Sequence, residues 1–130
     1  MVVNFEKSLL DLRQASVSVL PGDGYPEPGQ ASINLRFANG TRLRAEYWRV
    51  VVDGRAGVSS FDHEQKYGLP APIDAVKSLC EILQDKLVTN AFLDQETGDL
   101  HFEFAGRITL QVLNFTDYEI EFSGWDCRIL

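Results

Sequence analysis

The chain offers few side chains suited to covalent or acid–base chemistry, with His63 and His101 as its two histidines and Cys80 and Cys127 as its two cysteines. A serine triad needs a positioned histidine and a strained nucleophile turn, and no Gly-x-Ser-x-Gly run occurs. Cys80 falls among Ile73, Val76, Leu79 and Leu83 at helical spacing, so it reads as a thiol of the core and a poor nucleophile. Cys127 has no histidine near it in sequence to draw off its proton. Gly22-x-Gly24 runs into prolines instead of a helix start, which argues against a phosphate cradle. One arrangement has a metal-like composition: His101 and Glu103 share a strand face, and Glu119 and Glu121 can lie on a nearby strand. It lacks any recognised ligand spacing and reads as a wet outer face, so neither a metal nor a cofactor is expected. Paired acids for glycoside cleavage need a sugar-sized cleft, which short turns in so small a chain do not supply. No residue is assigned a catalytic role, and the chain is expected not to be an enzyme.

The carboxylates carry more information. In Asp117-Tyr118-Glu119-Ile120-Glu121-Phe122, an extended strand sends three acids to one side and three apolar rings or chains to the other. Like charges aligned on one strand face repel. Either Arg107, Arg128 and the basic hairpin around Arg36, Arg42 and Arg44 neutralise them internally, or the face waits for a cationic partner. Asp94, Glu96, Asp99 and Glu103 extend the acidic set. The candidate partner-binding residues are therefore Asp117, Glu119, Glu121, Glu103 and Asp99.

Charge layout points the same way. The net charge is −7, and from Asp62 to Asp126 there are 13 acidic residues against Lys66, Lys77, Lys86 and Arg107. Phosphate binding draws on concentrated Lys and Arg, so nucleic acid is disfavoured as a direct partner. A basic protein suits such a surface, although an acidic half also serves solubility alone.

These side chains must be positioned by strands. Ser16 to Leu20 alternates, then ten residues from Pro21 to Gln30 hold three of the five prolines and read as a long loop. Ile33, Leu35 and Phe37 alternate with polar residues, Asn39-Gly40 makes a hairpin turn, and Leu43 and Ala45 return. Strict alternation would then put Arg49 inward, so a bulge near Tyr47-Trp48-Arg49 is expected to turn Trp48, Val50 and Val52 to the core. Asp53-Gly54 turns the chain again towards a strand over Val58 to Phe61. Pro72 suits a first helical turn, Asp74 its positive end, and Ile73, Val76, Leu79, Cys80, Leu83 and Leu87 form an apolar stripe. Strands are expected from Val88 to Leu93, Leu100 to Phe104, Ile108 to Val112 and Tyr118 to Phe122, with a last stretch from Trp125. Near the start, Phe5, Leu9, Leu10 and Leu12 fit either a short helix or a strand opening. The expected fold class is α+β, one domain over 1–130. Its core is a mainly antiparallel twisted sheet of six to eight strands, with one amphipathic helix, about 72–87, packed on one face.

No apolar run is long enough for a membrane span, and the start Met1-Val2-Val3-Asn4-Phe5-Glu6 lacks a signal-peptide pattern. A reducing cytoplasmic location with two free thiols is the expectation. The segments Asn114-Phe115-Thr116-Asp117-Tyr118-Glu119 and Glu46-Tyr47-Trp48-Arg49, in a small acidic α+β chain, resemble immunity proteins of bacterial polymorphic-toxin and contact-dependent-inhibition systems. That resemblance implies non-catalytic binding to a cognate basic toxin domain, a nuclease foremost, by a monomer or weak homodimer. The alternative is a regulatory or housekeeping domain acting through protein–protein contacts or homodimerisation.

Overall fold

A computed structural model of the chain describes residues 5–22 and 28–122, with the backbone alone of 125–129. Residues 23–27 of the proline loop and the side chains of Cys127 and Arg128 lie outside the described residues. In chain order the elements are α1 (Phe5–Leu10), β1 (Val17–Pro21), β2 (Ile33–Phe37), β3 (Arg42–Ala45), β4 (Trp48–Val52) and β5 (Arg55–Ser59). A 3-10 turn (Ser60–Asp62) follows, then α2 (Ala75–Leu83), β6 (Val88–Leu93), β7 (Leu100–Phe104), β8 (Ile108–Val112), β9 (Tyr118–Phe122) and β10 (Trp125–Ile129). The class is α+β with antiparallel pairing between all neighbouring strands.

The ten strands make two sheets instead of one, ordered β1-β2-β3-β9-β10 and β5-β4-β8-β7-β6. The alternation explains why. Each of β2, β7, β8 and β9 buries every second residue, so each strand has one dry face to cover. A single wide sheet would leave more apolar face than a nine-residue helix can shield, whereas two sheets cover one another. Ile33, Leu35, Leu43 and Ile120 of the first sheet and Trp48, Val50, Phe102 and Leu110 of the second enter one continuous core. Phe37 and Phe102 meet across it, ring centroids 5.4 Å apart. The Trp48 indole N–H donates to the Ala31 carbonyl at 2.6 Å, so the largest buried side chain has its polar atom satisfied.

The chain changes sheet between β3 and β4, at Glu46-Tyr47. This change resets the parity: Leu43 and Ala45 face the core before it, Trp48 and Val50 after it, while Val52 is half-buried. The inward turn of Trp48 and Val50 is as expected, but a change of sheet causes it. A pairing irregularity does occur one step later, between Arg49 and Val51 against β5.

Helix α2, Ala75–Leu83, is shorter than the expected 72–87. It lies against β1 and β5, an edge strand of each sheet. Asp74 caps it, its carboxylate accepting the Lys77 N–H at 3.1 Å. Pro72 stays outside because Ile73 is held extended, its N–H donating to the Gln65 carbonyl and its carbonyl accepting from Glu64. Wedged between two edges, the helix buries the narrow row Ala75, Leu79 and Leu83, with Val76 and Ile82 partly covered. Cys80 lies off that row and is exposed, which corrects the expectation of a core thiol. Leu87, also expected on the stripe, follows the helix and is exposed. At the N-terminus the ambiguous segment is helical: Leu9 and Leu12 are fully buried, and the Phe5 ring meets Phe122 edge-on at 5.5 Å.

Candidate functional site

The acids of β9 do not form an isolated negative row. On one side β9 pairs with β3, placing Arg42 opposite Glu121 and Arg44 opposite Glu119. On the other it pairs with β10, placing Asp126 and Arg128 at the same two positions. The Arg42 guanidinium donates to Glu121 at 2.9 Å. Opposite charges directly across strands stabilise a sheet modestly, so the basic hairpin answers the acidic strand within the molecule. Arg107, the other internal candidate, is elsewhere, 3.8 Å from Asp53.

Asp99 and Glu103 belong to the second sheet and its turns. Asp99 accepts the Asn114 backbone N–H at 2.7 Å, and Glu103 accepts from the Asn90 side chain at 3.2 Å. The five candidate residues therefore do not share one face. Nor do His101 and Glu103 meet Glu119 and Glu121, because β7 and β9 lie in different sheets. His101 instead stacks on Phe92, centroids 4.7 Å apart and planes 2° from parallel. Among the described residues, no group of three or more His, Cys, Asp or Glu can hold a metal ion.

What the fold does assemble is a surface at the change of sheet. Tyr47, Phe61 and Phe115, far apart in sequence, come together there. Tyr47 stacks on Phe61 at 5.4 Å and meets Phe115 edge-on at 5.9 Å. Phe61 is 45% exposed and Phe115 70%, while Tyr47 beneath them is half-buried. Beside them Arg44, Ala45, Glu46, Asp117 and Glu119 line an open depression of about 120 Å³. The two features are joined: Glu46 precedes Tyr47, and the Thr116 hydroxyl, next to Phe115, donates to the Glu46 carboxylate at 3.2 Å.

The segments bearing Phe61 and Phe115 are each fixed by local hydrogen bonds. The turn bearing Phe61 has a capping box, in which the Ser59 hydroxyl accepts from Phe61 N–H and Asp62 accepts from Ser59 N–H at 2.8 Å. The loop bearing Phe115 is fastened on both sides. Asp99 takes the Asn114 amide, and the Tyr118 hydroxyl donates to the Gly98 carbonyl at 2.6 Å. Gly98 has φ +80°, a left-handed conformation that favours glycine, and it packs against the Asn114 side chain. Asp99 thus anchors the loop that presents Phe115. Nearby, the exposed Tyr67 phenol donates to Asp62 at 2.9 Å. That hydrogen bond first, then desolvation and the carboxylate's charge, hold its pKa above the ordinary value.

Sequence reasoning missed the aromatic cluster. Two signals pointed to it: the broken parity at Tyr47-Trp48, and a phenylalanine in a polar turn at Asn114-Phe115-Thr116. Both lie in the two segments that carry the resemblance to immunity proteins. Comparisons with protein-family models, curated protein sequences and solved structures give no match to this chain. Among the described residues no helix is long and apolar enough to cross a membrane.

Proposed function

We propose that the chain is a non-catalytic binding protein that neutralises a bacterial toxin domain in the cytoplasm. Its contact surface is the Tyr47–Phe61–Phe115 cluster and the carboxylates of Glu46, Asp117 and Glu119 beside it. The observation that carries this reading is a cluster of three mutually contacting rings, Phe61 and Phe115 exposed and Tyr47 half-buried, next to an acid-lined depression. Exposed aromatic clusters cost solubility and mark interaction sites, and aromatic anchors dominate the energetics of interfaces. Acids at the rim speed the encounter with a basic partner and reject acidic ones. Two of the acids first expected to bind, Asp117 and Glu119, remain in this surface. Glu121 sits in the charge ladder with Arg42, while Asp99 and Glu103 have structural partners.

Growth protection tests the reading. The reading predicts a toxin domain encoded beside this gene, to be expressed in a sensitive host with the parent chain or with Phe115→Ser. The parent restores growth, and Phe115→Ser, expressed and folded to the same extent, does not. Equal protection by both would place the binding surface elsewhere, and no protection by either would remove the toxin reading.

A further inference from the structure

We infer that the feature recognised at this surface is an arginine side chain on a basic segment of the protein partner, its guanidinium lying on the exposed rings and its charge reaching the depression. The inference rests on the reading of this surface as a protein-binding site and names the chemistry that the partner must bring. Three observations carry it. The residues Phe61 and Phe115 are 45% and 70% exposed, and Tyr47 stacks on one face of Phe61 only, so aromatic surface is accessible to a planar cation. The depression beside them is lined by Glu46 and Asp117 as well as by Glu119, which lies across the strands from Arg44, so Glu46 and Asp117 give its rim a charge that favours an incoming positive group. The Glu46 carboxylate accepts from Thr116, which fixes it next to Phe115 without neutralising it.

Arginine fits this combination better than lysine. Its guanidinium is planar, stacks on aromatic faces and forks to carboxylate oxygens, whereas an ammonium is a compact, strongly hydrated point charge. An apolar partner segment would use the rings but leave the acids desolvated beside it, which opposes binding.

The test titrates the whole chain with acetyl-Gly-Arg-Gly-Arg-Gly amide and with its lysine and citrulline counterparts, following ring resonances of Tyr47, Phe61 and Phe115 by NMR. Citrulline keeps the planar shape without the charge. The arginine peptide is expected to shift all three rings and to bind at least about fivefold more tightly than the lysine peptide. The citrulline peptide is expected to leave them in place. Phe115→Ser and the double change Glu46→Gln, Asp117→Asn each weaken arginine binding severalfold. Citrulline binding as well as arginine, or arginine shifts confined to the Arg42–Glu121 ladder, would overturn the inference. So would ring shifts that depend on protein concentration without peptide, which would make a second copy of the chain the occupant. Loss of protection by Phe115→Ser without any arginine binding would sink this inference and leave the proposed function standing. Arginine binding at the rings without toxin neutralisation would do the reverse.

Discussion

His63 shows how a single residue holds the region behind the aromatic surface together. It is 5% exposed, and its Nδ1 accepts the Ala75 backbone N–H at 3.2 Å, at the start of α2. The ring therefore satisfies one of the donors that a helix leaves open at its first turn. His63→Leu keeps the volume roughly but strands that buried amide, which is expected to destabilise the chain by about 1–3 kcal/mol in urea unfolding. A variant as stable as the parent would show that the amide finds another acceptor. Asp74 was legible as a helix-start residue from its place before an apolar periodic run. The role of His63 was not, because its partner lies 12 positions away and depends on a loop path with positive φ at Glu64 and Tyr67.

Helix α2 separates the two kinds of apolar position at the scale of an element. Leu79 and Leu83 are fully buried between β1 and β5, while Cys80, one step from Leu79, is exposed. Leu83→Ala is expected to cost about 2–5 kcal/mol, and Cys80→Ser no more than about 0.5 kcal/mol, in the same unfolding measurement. Comparable losses at both positions would mean that the buried row is wrongly placed. The sequence predicts the helix and the strands because their periods of 3.6 and 2 are local properties. How those elements are arranged is not local. Nothing in the alternation of Leu43, Ala45, Trp48 and Val50 distinguishes a bulge within one sheet from a change between two. Likewise the stripe Ile73 to Leu87 shows which side is apolar, but not that two strand edges would clasp only its middle.

At the scale of the whole molecule, net charge alone misdirects the search for a site. The acidic strand looked unpaired because sequence cannot say which strand lies beside it; pairing β9 with β3 brings Arg42 and Arg44 against it. The surface that remains is made where three distant segments converge, so only its ingredients were visible in advance: Asp117 and Glu119 as acids, Tyr47 and Phe115 within the segments resembling immunity proteins. The proposed partner interface is this convergence and not the outer face of the second sheet. Its most direct test is the dissociation constant of the partner complex for Phe115→Ser beside Glu103→Gln, with the melting temperature of each variant. Phe115→Ser should weaken binding by about 30-fold or more, as loss of a central aromatic anchor does, with its melting temperature unchanged. Glu103→Gln should bind as the parent does. Parental affinity in Phe115→Ser, with weakened binding in Glu103→Gln, would contradict the claim and move the interface to the opposite sheet.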